Sequence, residues 1–195
     1  MKLRTKLLIT VLLIGAISSF NVYKYVKSNI NYLAQRYPVK YSDLVEKYSE
    51  SFGVDETVIY ATILCESNFI PDAESPKGAA GLMQITPETF EWLCTKTDEN
   101  YEELNIYDPE TNIKYGTFFL SMLYQEFGDA TIVHAAYNAG RGRVREWLKN
   151  SEYCKDGKLY FIPYKETRIY VERIKNAIKK YSSILEEEKD ERDSI

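Results

Sequence analysis

Glu66-Ser67 ends an apolar stretch, and Gly81-Leu82-Met83-Gln84 begins 15 positions after that acid, beyond a loop of small residues. A glutamate so placed has a distinctive chemistry. Ile63-Leu64-Cys65 precede it, and burial against such groups disfavours the anion and raises a carboxyl pKa toward neutrality. The end of a helix adds the negative pole of its dipole, which favours the neutral acid again. A carboxylic acid still protonated near neutral pH can hand its proton to the departing oxygen of a glycosidic bond while positive charge grows on the anomeric carbon. On its own Glu66 reads as one more solvent-facing helix residue, as most glutamates are. Two later segments, Ala136-Tyr137-Asn138-Ala139-Gly140 and Ile162–Val171, change that reading.

The elements that must hold these residues are almost all helical. Leu44, Val45 and Tyr48 have helical spacing. Asp55 is the expected N-cap of a helix running to about Ser67, with Val58, Ala61 and Cys65 on one face. Pro71–Ala80 is rich in Pro, Ser, Gly and Ala and reads as a loop. Thr86-Pro87 and Asp108-Pro109 each place a capping residue before a proline at the first helical position. The second opens a long helix to about Phe127. Asp129 caps another helix, which Gly140 stops. Glu166–Leu185 is expected as the last helix, and only Lys158–Ile162 alternates enough to suggest a short strand. The expected class is mainly α, with a groove between helices.

In this order the segments resemble the lytic transglycosylases of the soluble-transglycosylase type, lysozyme-like cell-wall enzymes related to goose-type lysozyme. The resemblance covers about residues 37–181. It rests on Glu66-Ser67, on Ser75–Gln84 with its Gly-Leu-Met-Gln, on Asp108–Gly116, on Ala136–Gly140 and on Ile162–Val171. Glu-Ser alone carries no information; the ordered set is specific. Arg141 stands where the family usually has proline.

The resemblance implies a lysozyme-like fold and assigns roles. Glu66 would be the single catalytic acid/base. Ser67 would sit near the acid or the substrate's acetamido group. Met83, Gln84, Tyr137 and Asn138 would line the sugar groove, and Glu166 and Tyr170 would belong to the last motif, with Tyr170 near the acid. The reaction would cut the β-1,4 bond between N-acetylmuramic acid and N-acetylglucosamine and leave 1,6-anhydromuramic ends. No cofactor and no metal are implied. The alternatives are hydrolysis by the same acid, with Asp72, Glu74 or Glu91 placing a water, and a catalytically silent glycan-binding module. Core filling is a competing reading for Met83. The lone histidine, His134, is expected to be structural.

Charge excludes one partner class. The chain has 195 residues and a formal net charge of -4, and the tail from Glu186 carries six acids against two bases. No basic face is indicated, so nucleic acid is not an expected partner. The expected partners are glycan strands and a membrane. Three basic residues precede the apolar run Leu7–Ile17, which is short for a full span. The expected organisation is an anchor or signal segment at 1–23, a linker at 24–36, the catalytic domain at 37–182 and a charged tail at 183–195. A retained anchor places the domain outside the cytoplasm, and a cleaved signal would leave it secreted. Cys65, Cys94 and Cys154 have no metal-ligand spacing, and an extracellular domain could pair Cys94 with Cys154.

Overall fold

Side-chain caps set the helical frame. The computed structural model describes residue 15, residues 18–25 and 27–28, and residues 32–193. Two units are distinguished, residues 1–38 and 39–195. In the first, residues 18–25, 27–28 and 32–36 are helical, and Phe20, Val22, Tyr23, Tyr25 and Tyr32 are exposed. The apolar run Leu7–Ile17 lies outside the described residues apart from Gly15. Among the described residues no helix is long and apolar enough to cross a membrane.

The second unit is a helical array. Helix α1 (Ser42–Phe52) ends at Gly53 in the left-handed conformation. Helix α2 (Glu56–Ser67) starts where the Asp55 carboxylate accepts from the Thr57 amide. Thr86 and Asp108 cap α3 (Pro87–Cys94) and α4 (Pro109–Phe127), each with proline in its first turn. Asp129 accepts from the Thr131 and Ile132 amides to start α5 (Ala130–Ala139). Helix α6 (Arg141–Lys149) follows Gly140 directly, and α7 (Lys165–Asp193) closes the chain. A single turn of 3-10 helix covers Tyr101–Glu103.

Helix α2 explains the arrangement. Every residue from Val58 to Leu64 is buried, so this helix is apolar on all sides and must run through the centre. It packs most extensively on α7, where Tyr60 stacks on Tyr181 at 5.2 Å between ring centroids. Helix α4 covers α1 and α5, with Phe52 against Phe118 at 5.2 Å.

Two expectations need correction, and the cysteine pairing left open by the sequence is not made. The strand expected at Lys158–Ile162 is present but shorter, and its partner was not foreseen: β1 (Cys154–Lys155) pairs antiparallel with β2 (Lys158–Leu159). Asp156 and Gly157 join them, both with positive φ, as a two-residue hairpin turn demands. The last helix does not stop near Leu185, because no glycine or proline interrupts it and its acidic end is simply solvated helix. Cys94 and Cys154 are free thiols rather than a disulfide; Cys94 is buried at the end of α3 against Tyr115, and Cys154 belongs to the hairpin.

Candidate active site

Glu66 occupies the last turn of α2 and opens into a cleft of about 450 Å³. The cleft is lined by Cys65, Glu66 and Asn138, and by Lys165, Glu166, Ile169, Tyr170 and Arg173 from the start of α7. Burial pushes the Glu66 carboxyl up to about 7. A hydrogen bond from the Tyr170 hydroxyl and the nearby Arg173 charge pull it back, and Glu166 adds to the rise. Tyr170 is itself buried, and its phenol is held well above its ordinary range by burial and by the Glu66 charge. It therefore stays a neutral donor beside the acid. Arg173 also donates to the Cys65 carbonyl at 3.2 Å, one of the carbonyls that a helix end leaves unpaired.

The loop carrying Gly81-Leu82-Met83-Gln84 is held against α2 by backbone contacts rather than by the side chains of its motif. The Ser67 hydroxyl donates to the Leu82 carbonyl at 2.7 Å. The Tyr137 hydroxyl, from α5, donates to the Met83 carbonyl at 2.8 Å. Asn112, fully buried in α4, accepts from the Met83 amide at 2.7 Å and donates to the Ala80 and Ile106 carbonyls at 3.0 and 2.7 Å. Gly81 has φ +78°, and a Cβ there would stand 2.2 Å from the Asn112 amide nitrogen. Gln84 adopts φ +50°, and its amide group donates to the Ala73 and Gly81 carbonyls, both at 3.0 Å. These bonds offset the cost of a left-handed non-glycine residue.

With this geometry in place, comparison with known proteins decides the family. The family model described as the transglycosylase SLT domain matches residues 43–160. The chain belongs to the transglycosylase SLT family. It is 39% identical over 153 residues to the soluble lytic murein transglycosylase of Escherichia coli K12, covering 74% of this chain and 23% of that one. It is 30% identical over 170 residues to the membrane-bound lytic murein transglycosylase C of Serratia proteamaculans, covering 73% and 46%. Among solved structures it resembles an inactive glutamate-to-glutamine variant of the lytic transglycosylase Slt of Pseudomonas aeruginosa. That match has a TM-score of 0.70 at 32% identity and covers 79% of this chain and 26% of that one. The 70 kDa soluble lytic transglycosylase of Escherichia coli gives 0.69 at 36%, covering 78% and 26%. The chain thus spans about a quarter of the length of the soluble relatives and under half of the membrane-bound one.

Within this SLT domain the residues singled out in the sequence separate into two groups. Glu66, Asn138, Glu166 and Tyr170 share the cleft. Asn138 accepts from the buried Thr167 hydroxyl at 2.8 Å, which joins the α5 end to α7. Ser67, Met83 and Gln84 stand behind it. Met83 is fully buried and packs on Gly116, where a Cβ would come within 2.3 Å of its sulfur, so its side chain fills the core instead of lining the groove. Ser67 is likewise buried, with its hydroxyl turned to backbone. Tyr137 is half-buried, and the Glu66 charge adds to the burial that holds its phenol well above the usual range.

Asp72, Glu74 and Glu91 do not line the Glu66 cleft, and Glu74 accepts instead from the Tyr107 hydroxyl at 3.2 Å. The second carboxylate in the cleft is Glu166. His134 is buried in α5, where desolvation lowers it to about 4, so it is a neutral core residue near pH 7. Sequence reasoning missed Arg173 and Asn112. Arg173 carries no local signal, because its importance comes from packing α7 beside α2. Asn112 did carry one: an amide at a helix position whose neighbour Ile113 is wholly buried demands polar partners.

Proposed function

We propose that this chain is a peptidoglycan lytic transglycosylase that uses Glu66 as its single general acid/base. The observation that carries the reading is the carboxyl of Glu66, raised to about 7 and open to a cleft able to take sugar rings. The names of the soluble and membrane-bound relatives support the substrate class. The glutamate-to-glutamine exchange in an inactive Pseudomonas relative supports the role of an acid.

The protonated Glu66 donates to the oxygen bridging N-acetylmuramic acid and N-acetylglucosamine, and the bond from the anomeric carbon to that oxygen breaks. The substrate's own acetamido group stabilises the oxocarbenium-like centre. Glu66, now a carboxylate, takes the proton of the muramic 6-hydroxyl as that oxygen bonds to the anomeric carbon. The acid is restored, no water is consumed, and the product ends in a 1,6-anhydro ring. An intramolecular nucleophile gives this route its entropic advantage. Tyr170 supplies a hydrogen bond that stabilises the carboxylate formed midway. Asn138 and Glu166 bind the sugar, and Ser67, Met83, Gln84 and Tyr137 fix the loop that borders it.

Glu166 also supports a second reading. A second carboxylate in the cleft could hold a water and turn the same acid to hydrolysis. A silent glycan-binding module is the weaker alternative, since a pure binder gains nothing from a desolvated acid. Glu66→Gln tests the enzyme: release of soluble fragments from murein sacculi should disappear while co-sedimentation with sacculi persists. Undiminished release would remove Glu66 from the mechanism. The site of action is extracytoplasmic, with the N-terminal segment as a single-pass anchor, and protease protection of intact cells against spheroplasts checks that placement.

A further inference from the structure

The hairpin and the turn into α7 carry an exposed surface that the proposed reaction does not use. Tyr160, Phe161, Tyr164 and Ile169 lie close together in sequence and are 45–62% exposed. A cluster of large apolar side chains left in the open marks a surface that meets something other than bulk water. Two of the rings carry cations: the Arg168 guanidinium lies 5.2 Å from the Phe161 centroid, and that of Arg143 lies 5.8 Å from the Tyr164 centroid. Buried Trp147 supports Tyr164 edge-on at 5.1 Å, and Tyr153 meets Phe161 at 6.0 Å. Residues 141–169 hold eight bases against four acids, in a chain of net charge -4. Arg141, Arg143 and Arg145 lie beside Glu126 or Glu146, but Lys149, Lys155, Lys158 and Lys165 are exposed and make no ion pair among the described residues. Lys155 and Lys158 are also register partners across the hairpin, a like-charge pair that costs the fold stability unless an anion lies over it.

We infer that this face docks on an anionic phospholipid surface, with Phe161, Tyr164 and Ile169 at the headgroup boundary and Lys155 and Lys158 on the phosphates. Aromatic rings beside cations match that boundary, where apolar bodies and anionic groups meet. A neutral sugar could stack on the rings but would answer neither the lysines nor Ile169. The first unit shows the same chemistry on exposed helix: Lys24 stands 4.7 Å from the Phe20 ring, and Lys27 stands 5.8 Å from that of Tyr23. Lys165 and Ile169 also line the Glu66 cleft, so docking sets the rim of the cleft at the membrane and directs the enzyme to strands beside it. The inference rests on the extracytoplasmic placement proposed above, and not on Glu66 as the acid.

The test is amide hydrogen exchange on the full chain with an excess of vesicles, either pure phosphatidylcholine or phosphatidylcholine with one-third phosphatidylglycerol. The apolar N-terminal run is common to both, and the readout is confined to peptides covering residues 150–169. Their exchange should slow with the anionic vesicles and not with the neutral ones. Lys155→Glu/Lys158→Glu should weaken that docking roughly thirtyfold, at the worth of two basic residues beside an anionic surface, and the protection should vanish. Phe161→Ser, with a melting temperature like the parent's, should lose it as well. Equal exchange on the two vesicles, or protection that survives the lysine reversal, would overturn the inference. So would protection produced by purified murein and not by lipid, which would make the face a glycan surface. No murein enters the vesicle comparison, so the Glu66 reading stands or falls apart from it.

Discussion

The Ser67 hydroxyl donates to the Leu82 carbonyl at 2.7 Å, so the residue after the proposed acid clamps the neighbouring loop to the acid's own helix. Its serine chemistry is spent on backbone. Ser67→Ala should therefore act through position, leaving a buried carbonyl without its donor and costing about 1–3 kcal/mol of stability. The rate constant should fall while KM changes little. A fall in KM-dependent binding alone, with kcat intact, would return Ser67 to the substrate.

Gly81 and Gly140 both have positive φ, but for different reasons. A Cβ on Gly81 would collide with Asn112, the residue that holds Ala80, Met83 and Ile106 together. A Cβ on Gly140 meets nothing within 4 Å. Gly140→Ala should cost only backbone strain, about 1–3 kcal/mol. Gly81→Ala adds the loss of buried hydrogen bonds and should cost several kcal/mol in total and most of the activity. Chemical denaturation of the two variants checks the order.

Much of this was legible in the chain because the informative residues act locally. Asp55, Thr86, Asp108 and Asp129 bond amides two or three residues ahead, and the starts of α2, α3, α4 and α5 follow from them. The desolvated carboxyl of Glu66 was legible too, since its apolar neighbours are adjacent in sequence. What could not be read is non-local. Arg173 reaches Cys65 across 108 positions, and Met83 is enclosed by α4 and α5, 29 and 54 positions away. Helix α6 escaped notice because Gly140, which ends one helix, also begins the next.

Activity should require the protonated acid and decline as the pH passes about 7, the value to which burial raises Glu66. The cleft charges pull that limb in opposite directions. Arg173 favours the carboxylate, so Arg173→Gln should move the alkaline limb to higher pH. Glu166 disfavours it, so Glu166→Gln should move the limb to lower pH. Profiles of kcat/KM against pH measure both, and shifts of the same sign would contradict the assignment.

The same group costs the fold stability. Glu66 has a pKa near 7 when folded against an ordinary 4.5, so the native state binds the extra proton and stability falls as the pH rises from 4.5 through 7. The loss is about 3 kcal/mol at most, given the partial exposure. His134 acts the other way: its folded value is depressed to about 4 from 6.5, so its contribution is present above 6.5 and is lost as the pH falls through 4. Glu66→Gln should be more stable than the parent at pH 8 and nearly equal to it at pH 4, as thermal melts at the two pH values will show.

The central claim is that Glu66 alone moves the proton out and back while the sugar's own hydroxyl closes the ring. Mass spectrometry of the fragments released from purified murein, run for the parent beside Glu66→Gln, tests it most directly. The account predicts muramic ends one water lighter than reducing ends from the parent, and no fragments from the variant. Reducing ends from the parent, or anhydro ends from Glu66→Gln, would contradict it.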